Sequence, residues 1–162
     1  MTDFTHLDDA GRVRMVDVSE KASTLRTAMA RGKISMSPKT FEKIRSQSVK
    51  KGNVLETARI AGVMAAKKTA DLIPMCHPLN ITHATVDFFP EEVENTFRIE
   101  ATVRLTGQTG VEMEALTAVS VAALTVYDMC KSYDRAMTIT GIQLVEKSGG
   151  KSGHYVRCND SA

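Results

Sequence analysis

Two stretches of strict alternation constrain the architecture of this chain more than any other feature. Ala84, Val86 and Phe88 are apolar around Thr85 and Asp87, and Phe97, Ile99, Ala101, Val103 and Leu105 are apolar around Arg98, Glu100, Thr102 and Arg104. A period of two sends successive side chains to opposite faces, so each run reads as a half-buried strand. The link between them, 90–95, begins at Pro90 and carries Glu91, Glu92 and Glu94. A link this short makes the pair an antiparallel hairpin with solvated acids at its tip.

A hairpin with one apolar face must bury that face, and the flanking sequence supplies helices to do it. Ser37 followed by Pro38 predicts a helix with Ser37 as N-cap and Pro38 at its first position, running to about Ser46. Asn53 and Glu56 form a capping pair that opens a second helix to about Ala70. In it Ala58, Ala61, Gly62, Ala65 and Ala66 recur at helical spacing, a smooth surface that lets another backbone come close. Thr109 and Glu112 have capping-box spacing at the head of a long helix reaching about Tyr133, with Leu116, Val119, Ala123, Val126 and Cys130 on one stripe. Short strands are expected at 14–18 and 137–145, the latter with a bulge at Gly141, whereas the pattern over 24–36 is mixed. The order β, α, α, β, β, α, β fits a ferredoxin-like α+β fold, an antiparallel sheet covered by helices on one face. The other face is then expected to need a partner.

The chain's 162 residues suit a single domain, 1–162, with 1–12 and 154–162 as flexible arms. With 21 basic against 19 acidic side chains, the balance is too even to hold a nucleic acid non-specifically, and 5% aromatic residues without Trp leave few stacking platforms. Cys76, Cys130 and Cys158 are far apart with no CxxC, which predicts reduced thiols in a cytoplasmic protein and no zinc site. The first fifteen residues carry Asp3, Asp8, Asp9, Arg12 and Arg14 without an apolar stretch, so no signal sequence or membrane contact is expected.

Several segments carry chemistry, each with a plainer alternative. Cys76 and His77 lie between Pro74 and Pro78, a stiff loop that could present an imidazole or merely join a helix to a strand. Asp128 and Lys131 are three apart on the long helix, an acid/base pair or a solvated surface contact. Glu112 and Glu114 flank Met113, and their carboxylates could accept from a purine or pterin edge or simply suit the helix dipole. Residues 147–153, KSGGKSG, set Lys147 and Lys151 among glycines whose N–H groups can wrap phosphate oxygens; the alternative is a flexible tail. A Walker A loop is excluded, because its first glycine would fall at Val145 and no helix-length segment follows Ser152. Lys51, in a Lys-Lys-Gly turn, has the same ambiguity as the 147–153 segment.

Taken together, RMVDVS at 14–19, KGNVLETARIAGVMAAKKTADLIPMCHPL at 51–79, RLTGQTGVEMEALTAVSVAALTVYDMCK at 104–131 and KSGGKSG at 147–153 resemble one family over nearly the whole chain. It is the cyclic pyranopterin monophosphate synthase family, also called molybdenum cofactor biosynthesis protein C. Met75 departs from the leucine common at that position of the family loop, and 37–50 and 154–162 match no firm motif. The resemblance implies a ferredoxin-like subunit in a homohexamer, a trimer of dimers with active sites at subunit interfaces. It implies a lyase that converts 3′,8-cyclo-7,8-dihydroguanosine 5′-triphosphate to cyclic pyranopterin monophosphate and diphosphate. Asp128, Lys131 and Lys51 would then be catalytic. Met75, Cys76, His77, Glu112, Met113 and Glu114 would meet the substrate, Lys147 and Lys151 would hold phosphates, and Arg26 is a further candidate. No tightly bound cofactor is implied, although Mg²⁺ could accompany the triphosphate. The reading from a different class is a non-catalytic nucleotide-binding regulatory module on the same fold.

Overall fold

The computed structural model describes residues 10–158. Strands β1 (Thr24–Ser35), β2 (His83–Glu91), β3 (Thr96–Gly107), β4 (Thr138–Ser148) and β5 (Tyr155–Val156) form one sheet in the order β2-β3-β1-β4-β5, and every pairing is antiparallel. Helices α1 (Pro38–Arg45), α2 (Val54–Lys67), α3 (Thr69–Leu72) and α4 (Glu112–Cys130) complete it. This is the ferredoxin-like α+β arrangement, with α4 laid along β1, β3 and β4 and α2 packed on α4 and β2.

The predicted hairpin is β2 and β3, closed by a 3-10 turn at Glu92–Glu94 with Asn95 in the left-handed region. Two of the three predicted caps form as well: the Ser37 hydroxyl accepts the Thr40 N–H and the Asn53 side chain accepts the Glu56 N–H. Four expectations change. Residues 14–18 carry no strand; their polar groups go to turns and to side chains of neighbouring loops. The first strand is the mixed stretch, Thr24–Ser35, whose inward row is Arg26, Ala28, Ala30, Gly32 and Ile34. Lys68 breaks the second helix into α2 and α3. Thr109 does not cap α4, which starts at Glu112 behind Val111, and α4 ends at Cys130 with a turn carrying Tyr133. A fifth difference lies at the C-terminal end, where Tyr155–Val156 pairs with Glu146 and Lys147 inside the segment expected to be a loose arm.

The bulge at Gly141 is present: Arg31 faces Gln143 while Lys33 faces Thr140, and Gly141 has φ 61°. Small residues along β1 let α4 settle close to the sheet. A Cβ on Gly32 would come 2.7 Å from the Val119 side chain, and one on Gly62 of α2 would come 2.9 Å from the Ala118 carbonyl oxygen. The core between them holds Ile34, Phe97, Ile99, Val103, Val119 and Val126, all buried. Each contributes about 1.5–3 kcal/mol by leaving water, and truncating one to Ala would cost about 2–5 kcal/mol. The opposite sheet face carries paired charges. Arg31 pairs with Glu100 at 2.8 Å, Lys33 with Glu91 at 2.6 Å, and Arg98 lies over the Phe89 ring at 4.3 Å.

Candidate functional site

The N-terminal end of α4 faces two adjoining cavities. The larger, about 540 Å³, lies between the start of β1, the turn before α4 and the loop after β4. Arg26 reaches into it from the inward row of β1, only 9% exposed. Its Nε and Nη2 donate to the carbonyls of Gly107 and Gln108, both at 3.3 Å, and it has no carboxylate partner among the described residues. A buried guanidinium held by carbonyls alone keeps most of its charge available, which favours an anion beside it. Gly149 and Gly150, with φ 99° and 74°, fold the following loop onto this arginine. A Cβ at Gly150 would fall 1.6 Å from Arg26 Nη1 and one at Gly149 2.2 Å from the Leu25 carbonyl oxygen, and both positive φ angles favour glycine. Lys147, from β4, pairs with Glu112 at 2.7 Å, and exposed Lys151 stands at the rim. Thr24 lines the same cavity, and its hydroxyl oxygen is buried with no hydrogen-bond partner among the described residues.

The smaller cavity, about 280 Å³, is lined by Met75, Cys76 and His77 from the loop after α3 and by Met113 and Glu114 from the first turn of α4. Glu114 is 3% exposed, and burial pushes its carboxyl up to about 7, with the Glu112 charge adding and its own backbone N–H opposing. Burial, with a contribution from Glu114, also raises the Cys76 thiol above its ordinary value. A thiol held protonated is a poor nucleophile, so Cys76 lines the cavity without serving as an attacking group. His77 Nε2 is 2.9 Å from the Val16 carbonyl, and since a carbonyl can only accept, Nε2 is the donor in this bond. The two cavities share Lys21, Thr109, Gly110 and Glu112.

The other end of α4 carries a third cluster. Asp128 and Lys131 are paired at 2.6 Å, and Lys51 Nζ donates to the Asp128 carbonyl at 3.1 Å. Their side chains are 65% and 53% exposed, so this is an open surface group in the isolated chain. Hydrogen bonding to Lys131 lowers the Asp128 carboxyl, and the reciprocal bond raises the Lys131 ammonium. With a rise of 1.5 Å per residue, Glu112 and Asp128 stand about 24 Å apart along the helix. The fold therefore gathers Met75, Cys76, His77, Glu112, Met113, Glu114, Lys147, Lys151 and Arg26 at one end, and Lys51, Asp128 and Lys131 at the other.

Comparison with known proteins matches this arrangement to one group. A family model described as the MoaC family covers residues 15–150. The chain belongs to the MoaC family. It is 68% identical over 156 residues to the cyclic pyranopterin monophosphate synthase of Desulforapulum autotrophicum, covering 96% of each chain. It is 66% identical to the protein of that name in Desulfatibacillum aliphaticivorans, covering 96% of this chain and 98% of the relative, and 60% identical to that of Roseiflexus sp. strain RS-1, covering 96% and 99%.

In this MoaC family chain the site includes groups that the motifs alone did not flag. Thr24 escapes notice because its strand is masked by the small inward residues of β1. Lys21 escapes because it sits in a polar turn outside any recognisable element. Among the described residues no group of three or more His, Cys, Asp or Glu side chains converges as a metal cage. Helix α4 is long and apolar enough to cross a membrane, but most of it is packed against the sheet and α2.

Proposed function

We propose that this chain is a lyase of molybdenum cofactor biosynthesis that converts (8S)-3′,8-cyclo-7,8-dihydroguanosine 5′-triphosphate to cyclic pyranopterin monophosphate and diphosphate. The observation that carries the reading is the buried Arg26, without a carboxylate partner among the described residues, in a cavity that also holds Lys147, Lys151 and a glycine loop. A triphosphate supplies the missing negative charge, and the fixed cations stabilise charge growing on the departing diphosphate. The adjoining cavity offers Glu112 and Glu114 to the N–H groups of the purine end. A carboxyl titrating near neutrality can both give and receive a proton while the five-membered ring opens and the pyran forms.

Asp128 and Lys131 are the proposed general acid/base pair, with Lys51 as a further cation. A general acid or base must come within hydrogen-bond reach of the proton it moves. Groups about 24 Å from Glu112 on the same helix cannot reach a molecule held in that chain's own cavities. The site is therefore completed by a second copy, whose Lys51, Asp128 and Lys131 close over the first chain's cavities. A two-fold pair repeats this contact twice, and three such pairs give the homohexamer that the family resemblance implies. Burial beneath a partner would also retune Asp128 and Lys131, which the open ion pair holds in their charged forms. Any Mg²⁺ would arrive on the triphosphate oxygens, since Glu112 in the larger cavity is already paired with Lys147. Three free cysteines support a reducing cytoplasm as the setting.

The test is incubation of the purified protein with the cyclic dihydroguanosine triphosphate, measuring the pterin product and diphosphate. The natural chain is expected to release both in equal amounts, while Asp128→Ala and Lys131→Ala bind the substrate and lose turnover by about 10²–10⁴-fold. A non-catalytic module, which the family assignment does not favour, would bind in all three cases and release nothing.

A further inference from the structure

Residues 13–22 lead into β1 along the edge of both cavities, and side chains of the site's own loops hold this arm. His77 Nε2 lies 2.9 Å from the Val16 carbonyl, and Gln108 Nε2 donates to the Ser19 carbonyl at 3.2 Å. Within the arm, Asp17 accepts the Ser19 N–H at 2.9 Å and its hydroxyl at 2.6 Å, and the Lys21 N–H donates to Val18 at 2.9 Å. Asp17 is thereby held as a carboxylate below its usual range, chiefly through the Ser19 hydroxyl bond. The result is a tight turn that delivers Lys21 to the junction of the two cavities, which it lines on both sides.

Lys21 is the cation among the four residues shared by the cavities, and Glu112, the shared carboxylate, is occupied by Lys147. The Lys21 side chain forms no ion pair among the described residues. Beyond it, Thr24, whose buried hydroxyl has no hydrogen-bond partner among the described residues, lines the larger cavity. A nucleotide with its heterocycle in the smaller cavity and its terminal phosphates in the larger one must thread its ribose and first phosphate through this junction.

We propose that Lys21 is a substrate-binding residue whose ammonium engages the first phosphate, the one retained in the cyclic product, so that the arm forms part of the site. This rests on the function proposed above. In that reaction a substrate oxygen attacks the first phosphorus, the bond to the bridging oxygen breaks, and the electron pair leaves with diphosphate. An ammonium beside the first phosphate neutralises charge on its non-bridging oxygens as five-coordination develops, which places part of its effect in kcat as well as in KM.

The experiment compares the natural chain with Lys21→Ala, Lys21→Arg and, as a distant exposed benchmark on α1, Lys39→Ala. Binding is measured with the substrate, with GTP and with inorganic diphosphate, and turnover with the substrate. Lys21→Ala is expected to weaken substrate and GTP binding by about 10- to 100-fold and to lower kcat further. It should change inorganic diphosphate affinity by no more than about 2-fold, because that probe lacks the first phosphate and rests mainly on Arg26, Lys147 and Lys151. Lys21→Arg should recover most of the binding, as a retained positive charge predicts. If the natural chain binds GTP but never releases pterin product, the proposed function fails. A selective loss of GTP affinity in Lys21→Ala would still uphold the Lys21 contact. GTP and substrate affinities equal in Lys21→Ala, Lys39→Ala and the natural chain would overturn it.

Discussion

The two ends of α4 differ in how complete they are. At the N-terminal end Arg26 is buried, Glu114 is buried, and a glycine loop folds onto Arg26 beside a formed cavity. At the C-terminal end Lys51, Asp128 and Lys131 lie open, bonded to one another. The difference teaches that one chain can preorganise binding alone, because desolvated charges and shaped cavities come from its own core. Acid/base groups that remain in water have ordinary chemistry until something covers them.

The sharpest way to break this comparison is to mix two inactive proteins. Arg26→Ala damages the binding end and Asp128→Ala the other, and each alone is expected to lose about 10²–10⁴-fold of its activity. Co-assembled one to one, random pairing leaves about a quarter of the interface sites with both intact ends, so activity should return to about that fraction. No recovery would mean that both ends act within one chain. A smaller effect separates binding from turnover: Gly150→Ala forces a methyl group against Arg26 and should raise KM by about 10-fold, with little change in kcat. An equal fall in kcat would place this loop in the chemical step.

The pH response sharpens the contrast further. Glu114 has a folded pKa of about 7 against an ordinary 4.5, so the folded chain holds this proton more tightly. That contribution is complete below about pH 4.5 and is lost as pH rises through about 7, an effect on the order of 2 kcal/mol. Glu114→Gln should remove the corresponding fall in Tm, about 5 °C between pH 5 and pH 8. Parallel Tm profiles for the two proteins would show that Glu114 is not the buried acid. The smallest expected effect is at Thr109, which does not cap α4: Thr109→Ala should shift Tm by less than about 1 °C, whereas Asn53→Ala, losing a formed cap, should lower it by about 2–4 °C.

Much of the fold was legible where local chemistry and tertiary packing agree. The alternation of β2 and β3, the Ser37 and Asn53 caps and the Gly141 bulge all depend on residues close in sequence. Strand β1 was hidden because Ala28, Ala30 and Gly32 face inward while Met29 faces outward, which flattens the hydrophobic contrast that marks a strand. Thr109 misled for a different reason: the Glu112 carboxylate that completes a capping box is drawn away by Lys147, thirty-five positions later. The residue types of the site were legible as motifs and through the family they resemble. Their division between two ends was implicit in the spacing along α4, whereas the joining across two chains proposed above is one that no linear pattern displays.

The glycine at position 32 gives α4 a further significance. Where Gly32 meets Val119, the helix rests on the sheet as on a fulcrum, with Glu112 about 10 Å to one side and Asp128 about 13 Å to the other. A side chain inserted there would tilt the beam and swing both ends in opposite directions. A few degrees would displace each by close to ~1 Å, enough misalignment to cost roughly 100-fold in rate. A bare spot in the middle of the sheet thus acts as a levelling point for the two side-chain clusters at the ends of α4.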